Sequence, residues 1–250
     1  MSGSVTSHIV AGVDGCPGGW IAIVGDPDDP GAAGVHVVSA FSAICDLPDA
    51  PATIAVDMPI GLPDRLEGPG RACEVAVRRL LGERQSSVFT TPARLAVMQE
   101  DYRRACEEAA ARSTPPRKVS RQTFALFPRI REIDALLRSR PDLRARVFET
   151  HPEVCFAAMN ADQPARLPKK IRGQPNPAGL AERLELLARA GLPPSLLERV
   201  RKLPARAAMD DFLDACACFW TAGRLARGIA RCWPEEPPRD AFGLEMAIRA

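Results

Sequence analysis

The chain has 250 residues, of which 46% are hydrophobic and 26% charged, as is typical of a globular protein with a buried core. No apolar stretch is long enough to span a bilayer, so we expect no membrane partner. The first residues, MSGSVTSHIV, lack the basic and apolar segments of a secretion signal, so we expect a cytoplasmic protein. A net charge of +2 does not by itself indicate a nucleic-acid-binding protein, because such proteins are usually more basic.

Four strands are predicted in the first quarter of the chain. The apolar segment 8–14 is followed by the turn GCPGG and by segment 20–24, which predicts an antiparallel hairpin. A third strand is predicted at 35–40. The almost wholly apolar segment 53–57 predicts a strand that helices cover on both faces.

The remaining segments are mostly helical in pattern. We expect Pro128 to kink or interrupt one of these helices and the tail from Cys232 to run over the surface. A fifth strand is predicted at 146–150, and a polar, proline-rich loop or lid at 162–177. The predicted helices span residues 71–81, 92–112, 120–139, 152–159, 180–190 and 207–227.

The order of these elements predicts an α/β fold. Three antiparallel strands followed by further strands and helices have the ribonuclease H-like topology, with a mixed five-stranded sheet flanked by helices. A helical insertion at about residues 64–140 separates the fourth strand from the fifth. The chain has no stretch of linker composition, so we expect a single domain over residues 1–250.

Cysteine spacing argues against a zinc site. The chain has no CxxC pair, and Cys216 and Cys218 lie two residues apart on a predicted helix, where their side chains diverge. Without a secretion signal, buried reduced thiols are the better interpretation of all eight cysteines.

Acidic residues follow two of the apolar strands. Asp14 and Asp57 each stand at a predicted strand end, and adjacent strands would bring their carboxylates to one end of the sheet. A single acid there could simply start a turn or cap a helix. Two carboxylates in a small space repel unless a cation neutralises them or one is protonated. Mg²⁺ or Mn²⁺, which prefer oxygen ligands, would supply that cation.

The last predicted helix adds two more acids. Asp211 and Asp214 lie three residues apart in MDDFLDACA and therefore share a helix face. Asp210 or Asp211 could be an ordinary acid of the first turn. Asp214 lies deeper in an apolar environment, where an acid is costly to bury unless it is ligated or paired.

Glu149 and His151 form a further candidate group near the end of the fifth strand. Glu149 could add another metal ligand, and His151 could shuttle a proton or orient a ligand. A turn histidine bonded to the backbone is an equally good interpretation of His151. Glu153 could be only a favourable acid in the first turn of a helix.

Several segments together resemble a family of uncharacterised bacterial and archaeal proteins, over about residues 9–248. The segments are GVDGCPGGW, AVDMPIGLP, LGERQSSVF, VSRQTFALFPRIREID, FETHPEVCFAAM, LPKK and DDFLDACACFWTAGRLARG. That family is described as predicted nucleases of the ribonuclease H-like fold, which implies the same fold here. The last helix also resembles that of Holliday-junction resolvases, in which a DxxDA pattern supplies metal ligands. Asp211, Asp214 and Ala215 match that pattern, but the insertion between the fourth and fifth strands departs from it.

Phosphate contacts have weaker candidates. Arg84, Ser86 and Ser87 could bind a phosphate, as could Lys169 and Lys170, although a plain polar loop explains either group equally well.

The leading hypothesis is a nuclease that hydrolyses phosphodiester bonds in DNA or RNA by a two-metal carboxylate mechanism. Mg²⁺ or Mn²⁺ would bind among Asp14, Asp57, Asp214 and Asp211, and a homodimer remains open. The alternatives are a phosphotransferase or nucleotide hydrolase of the actin-like or sugar-kinase type, and a non-catalytic binding scaffold. The absence of a duplicated domain and of glycine-rich phosphate loops argues against the phosphotransferase.

Overall fold

A computed structural model describes residues 8–250. Residues 1–7, on which the expectation about a secretion signal largely rests, lie outside the described part. Within that part the strands are β1 (Val10–Cys16), β2 (Gly19–Gly25), β3 (Gly34–Val38), β4 (Thr53–Val56), β5 (Leu66–Glu67), β6 (Ser113–Thr114), β7 (Val147–Glu149), β8 (Lys170–Ile171), β9 (Gln174–Pro175), β10 (Cys232–Trp233) and β11 (Ile248–Arg249).

The α-helices vary from one turn to five turns in length. They are α1 (Ser42–Cys45), α2 (Ala72–Leu81), α3 (Arg94–Val97), α4 (Tyr102–Ala111), α5 (Arg121–Ser139), α6 (Pro152–Met159), α7 (Pro177–Arg189), α8 (Pro194–Leu197) and α9 (Met209–Ala226). Short 3-10 segments occupy Gly82–Ser87, Pro141–Ala145 and Glu198–Lys202. No helix of residues 8–250 is long and apolar enough to cross a membrane.

The central sheet is mixed and has five strands in the order β3-β2-β1-β4-β7. The first three strands are antiparallel neighbours, whereas β4 runs parallel to both β1 and β7. The predicted α/β class with a mixed five-stranded sheet is therefore confirmed. The parallel register places Val13 beside Val56, which aligns the ends of β1 and β4.

Hydrophobic cores cover both faces of this sheet. Because side chains alternate along a strand, Val10 faces one core, while Ala11 and Val13 face the other. Helices α6, α7 and α9 contribute to the first core, and α5 to the second. The same alternation directs Asp14, and Asp57 just after β4, toward the side of α9.

Gly12 permits the close approach of α9 to β1. A Cβ atom at this position would lie 1.8 Å from the backbone nitrogen of Phe219 and 2.4 Å from the carbonyl oxygen of Ala215. Any larger residue would therefore force α9 away from the sheet. The glycine fixes the distance between the strand that carries Asp14 and the helix that carries Asp214.

One helix prediction was wrong in detail, and one of two outcomes predicted for another helix is excluded. The predicted helix 92–112 divides into α3 and α4, because the Asp101 carboxylate accepts a hydrogen bond from the Arg104 backbone N–H (2.9 Å) and starts a new helix. In contrast, α5 continues through Pro128. Phe127 and Ile130 beside the proline are buried in the second core, and this packing compensates for the missing backbone hydrogen bond.

The C-terminal tail was predicted to run over the surface, and this is wrong only for its last residues, since none of residues 232–243 is fully buried. Ala247, Ile248 and Ala250 are buried. Strand β11 pairs with β10, and the Thr150 hydroxyl donates to the Arg249 carbonyl oxygen (2.7 Å). The tail therefore packs against the end of β7. The predicted 162–177 loop contains the small β8–β9 hairpin.

Seven cysteines are buried, Cys232 is partly buried, and all eight are free thiols, as the sequence predicts. Residues 64–140 contain α2 to α5. The buried residues of α2 belong to the first core and those of α5 to the second, so this insertion contributes to both faces of the sheet.

Candidate metal centre

Three aspartates converge where β1 and β4 end beneath α9. Asp14 lies near the end of β1, Asp57 directly follows β4, and Asp214 lies in the second turn of α9. The Asp57 backbone N–H donates to the Val13 carbonyl oxygen (3.0 Å), which holds the two strand ends together. One carboxylate oxygen from each aspartate lies within 4.8 Å of the other two.

Burial and mutual repulsion make these carboxylates reluctant to ionise. Desolvation, followed by the charges of Asp57 and Asp214, raises the pKa of Asp14 well above its usual range. Desolvation and Asp214 raise the pKa of Asp57 to about 8. Desolvation also raises the pKa of Asp214 to about 6, although Lys169 opposes this shift. At neutral pH the triad therefore favours either a proton or a bound cation.

Lys169 supplies one positive charge to the triad. Its ammonium contacts the Asp214 carboxylate and lies 3.8 Å from Glu153 Oε1. Burial opposes the charge on Lys169, but the carboxylates of Asp214 and Glu153 outweigh this effect and raise its pKa. Lys169 therefore remains protonated beside the acids.

Further hydrogen bonds and an ion pair surround Lys169. The Arg183 guanidinium donates two hydrogen bonds to the Glu153 carboxylate (3.0 and 2.7 Å) and one to the Leu167 carbonyl oxygen (2.7 Å). The Asn176 side chain donates to the Pro168 carbonyl oxygen (2.8 Å). These contacts tie α6, α7 and the segment before β8 together and hold Lys169 in place.

The triad could bind a divalent metal ion. Its donors are carboxylate oxygens, which Mg²⁺ and Mn²⁺ prefer. Asp214 Oδ1 is buried and accepts no hydrogen bond from any described residue. A buried acceptor without a partner is costly, and a cation would satisfy it.

Asp211, the fourth predicted metal ligand, makes a different contact. Its Oδ2 accepts a hydrogen bond from the Ala208 backbone N–H (3.0 Å) at the start of α9. Burial raises its pKa, and its charge contributes to the raised pKa of Asp14. Asp211 therefore acts on the triad electrostatically, and its role as a ligand stays a prediction.

Glu149 pairs with an arginine, and both side chains line the small cavity that also contains Asp57. The Arg71 guanidinium donates to both of its oxygens (3.0 and 2.5 Å), and the Ile60 backbone N–H donates a third hydrogen bond (2.7 Å). Both side chains are buried. These contacts use the oxygens that Glu149 would need to join the metal site.

His151 lies beside Asp57 in a small cavity. Its Nε2 lies 3.3 Å from the Ser87 carbonyl oxygen, and its buried Nδ1 has no hydrogen-bond partner among the described residues. Desolvation lowers the pKa of His151 to about 4. The ring is therefore neutral at physiological pH.

Most of the residues predicted to bind phosphate contact other groups of the protein instead. The Arg84 guanidinium donates to the Arg166 carbonyl oxygen (2.8 Å), and the Ser87 hydroxyl donates to the Arg84 carbonyl oxygen (2.9 Å). Ser86 is exposed in the same loop. Both lysines instead face acids, since Lys169 contacts Asp214 and Lys170 pairs with Asp210 (2.6 Å).

Sequence reasoning missed the arginines of this region. Arg71 and Arg183 are almost fully buried partners of Glu149 and Glu153, respectively. Each pair joins residues that are distant in the sequence, so no local pattern identifies the partner. The sequence indicated only the acidic partners, Glu149 near a strand end and Glu153 at the start of a helix.

Comparison with known proteins identifies a family match over most of the chain. A family model described as "Protein of unknown function (DUF429)" matches residues 12–239, a range that includes all three aspartates. No curated protein and no solved structure matches the chain.

Proposed function

The chain belongs to this DUF429 family of unknown function, and we propose that it is a metal-dependent nuclease that hydrolyses phosphodiester bonds. The observation that carries the proposal is the convergence of Asp14, Asp57 and Asp214 within 4.8 Å. The unpartnered Oδ1 of Asp214 adds to it, because this atom needs a cation or a donor.

The strand order supports a ribonuclease H-like fold. Three antiparallel strands lead into two parallel strands, and the first strand lies in the middle of the sheet. The acids stand at the ends of the two central parallel strands, β1 and β4, and on the helix that covers them. This is the arrangement expected of that fold when it carries a carboxylate metal site.

Asp14, Asp57 and Asp214 would hold Mg²⁺ or Mn²⁺. When bound, such an ion supplies Lewis acidity toward a phosphoryl oxygen and lowers the pKa of water. The aspartates supply the negative charge that selects a divalent cation, and burial with their mutual repulsion raises the pKa of Asp14 and Asp57, which a bound cation would oppose. Lys169 supplies a further positive charge on the Asp214 side, where a phosphate group would otherwise meet unshielded carboxylates.

His151 could exchange a proton with a group that approaches Asp57. Its ring is neutral, and Nδ1 is free of described partners. A neutral histidine can accept a proton, whereas a charged one can only donate. This makes His151 the candidate for proton transfer next to the carboxylates.

The proposal is tested by incubating the purified protein with Mn²⁺ and a panel of single-stranded and duplex DNA, RNA, branched junctions and nucleotides. We expect cleavage of at least one nucleic acid and its loss in Asp57→Asn, with Lys170→Gln retaining activity. The nucleotides test the nucleotide hydrolase alternative. If nothing in the panel is cleaved although Mn²⁺ binding is established, the nuclease proposal is wrong.

Metal binding can be measured separately from cleavage, through the stability of the folded protein. Mn²⁺ at a hundred times its Kd should stabilise the folded protein by about 2.7 kcal/mol, which raises the melting temperature. Asp14→Asn should respond less, because it lacks one ligand. Identical metal responses of the two proteins would argue against Asp14 as a ligand.

A further inference from the structure

A cleft of about 680 Å³ lies between α2, the end of α4 and the start of α5, and it shares Val88 and Phe89 with the small cavity that contains Asp57. We propose that this cleft binds the phosphate groups of a nucleic-acid strand next to the bond that is cleaved. The inference rests on the proposed function, since it assigns the substrate of the same site.

The charge of the lining is the first argument. Every charged residue that lines the cleft is cationic, namely Arg78, Arg117 and Lys118. Arg117 and Lys118 are exposed, and in residues 8–250 neither forms an ion pair. Two adjacent cations without acidic partners are available to an anionic ligand.

Arg78 is held in a fixed position at the edge of the cleft. Its guanidinium donates to the carbonyl oxygens of Val88 (3.1 Å) and Pro69 (2.9 Å) and to the Thr90 hydroxyl (2.8 Å). Glu74 Oε2 lies 3.7 Å away and compensates part of its charge. Arg78 therefore orders the 85–90 loop, while Arg117 and Lys118 supply most of the free positive charge.

The start of α5 adds two hydroxyl groups, which are hydrogen-bonded to each other (2.9 Å). Ser120 and Thr123 line the cleft, and the Ser120 hydroxyl oxygen accepts a hydrogen bond from the Thr123 backbone N–H (3.0 Å). The N-terminus of this 19-residue helix carries partial positive charge. The exposed Ser86 hydroxyl lies on the lining as well. Cations, hydroxyls and a helix N-terminus together suit phosphate oxygens.

The position of the cleft connects it with the acids. Val88 and Phe89 line both this cleft and the small cavity that contains Asp57 and His151. The Ser87 carbonyl oxygen, one residue earlier, contacts His151. The cleft and the cavity that contains Asp57 therefore have a common wall, and in our proposal a strand cleaved at the triad extends along this wall into the cleft.

Binding to a fluorescently labelled 20-nucleotide single strand of DNA tests the inference independently of cleavage. All proteins carry Asp57→Asn, so that the strand stays intact. We compare Arg117→Gln/Lys118→Gln with Arg201→Gln/Lys202→Gln, a matched control because Arg201 and Lys202 form the same exposed dipeptide outside the cleft. Melting curves verify that both variants remain folded.

We expect the cleft variant to bind at least tenfold more weakly than the control. The slope of log K against log salt should also fall by about 1.4, the value for two phosphate contacts on a single strand. Equal affinity and equal slope in the two variants would overturn the inference. Nucleoside monophosphate and inorganic phosphate are each tested separately as competitors of the labelled strand. If either of them binds as tightly as the oligonucleotide, the assignment of the cleft to a nucleic-acid strand is overturned.

The outcome is separate from that of the nuclease proposal. Loss of strand binding in the cleft variant supports the phosphate cleft even if no substrate of the panel is cleaved. Conversely, cleavage by the wild type together with unchanged strand binding in the cleft variant would overturn the cleft alone.

Discussion

The ammonium of Lys169 contacts one oxygen of the Asp214 carboxylate, while the other oxygen, Oδ1, is buried without a hydrogen-bond partner among the described residues. The triad thus carries an internal cation that compensates one of its charges. A metal ion would compensate the others. The two cations share Asp214, so each should affect the binding of the other.

Replacing Lys169 by glutamine should destabilise the metal-free protein by about 2 kcal/mol, because the buried Asp214 loses a charged hydrogen-bond partner. The stabilisation by Mn²⁺ should increase, because the triad then carries one more uncompensated negative charge. Urea unfolding with EDTA or Mn²⁺ measures both effects. Lys170→Gln is the control, since the Lys170 side chain is 53% exposed and its pair with Asp210 should contribute about 1 kcal/mol or less. Equal effects of the two substitutions would contradict the role of Lys169.

Asp57 should contribute stability to the metal-free protein that is lost as the pH rises from about 4 to about 8. The folded-state pKa of Asp57 is raised to about 8, so over this range the folded protein binds more protons than the unfolded chain. Asp57→Asn should flatten this dependence by at most about 1.4 kcal/mol per pH unit, the contribution of one proton. Urea unfolding in EDTA at several pH values checks this. A parallel pH dependence of wild type and variant would show that Asp57 ionises normally.

Glu149→Gln should destabilise the protein by about 3 to 5 kcal/mol, because it leaves the buried Arg71 without its main counterion. The increase in melting temperature with Mn²⁺ should nevertheless match that of the wild type, since the triad is unchanged. Differential scanning calorimetry with and without Mn²⁺ gives both quantities. A stable variant that no longer responds to Mn²⁺ would instead make Glu149 a metal ligand.

Gly12→Ala should cost about 3 kcal/mol and weaken the response to Mn²⁺. The added methyl group would collide with the backbone of α9 and increase the separation of Asp14 and Asp214. Gly228→Ala is the control. Gly228 has a positive φ of 68° but open space around it, so alanine there should cost about 1 kcal/mol and leave the metal response intact. A normal metal response in Gly12→Ala would show that the α9 distance is not critical.

Much of the sheet could be predicted from the sequence, because its signals are local. The alternating or fully apolar segments at 10–16, 19–25 and 53–56 identify strands, and the GCPGG turn dictates the antiparallel hairpin. The period of two also indicates which side chains share a face. Because Asp14 and Asp57 each stand at a predicted strand end, the sequence also predicts that adjacent strands bring them to the same end of the sheet.

Helix boundaries were less predictable where long-range packing competes with local preference. Pro128 was expected to kink or interrupt its helix, and buried neighbours keep α5 uninterrupted. The tail after Cys232 has the composition of a surface segment, yet its last residues are buried against β7. In both cases contacts with distant parts of the chain decide the conformation.

The sequence by itself determined the α/β architecture and the three aspartates, since both depend on periodicity and on acids that follow apolar segments. Only the tertiary structure decided which cation each acid meets: Lys169 for Asp214 and Arg71 for Glu149. The physical reason is that an ion pair depends on distance in space and on the loss of solvent, and neither follows from spacing along the chain. The same holds for the cleft, whose cations come from α2 and from the segment before α5 and meet only in the folded protein.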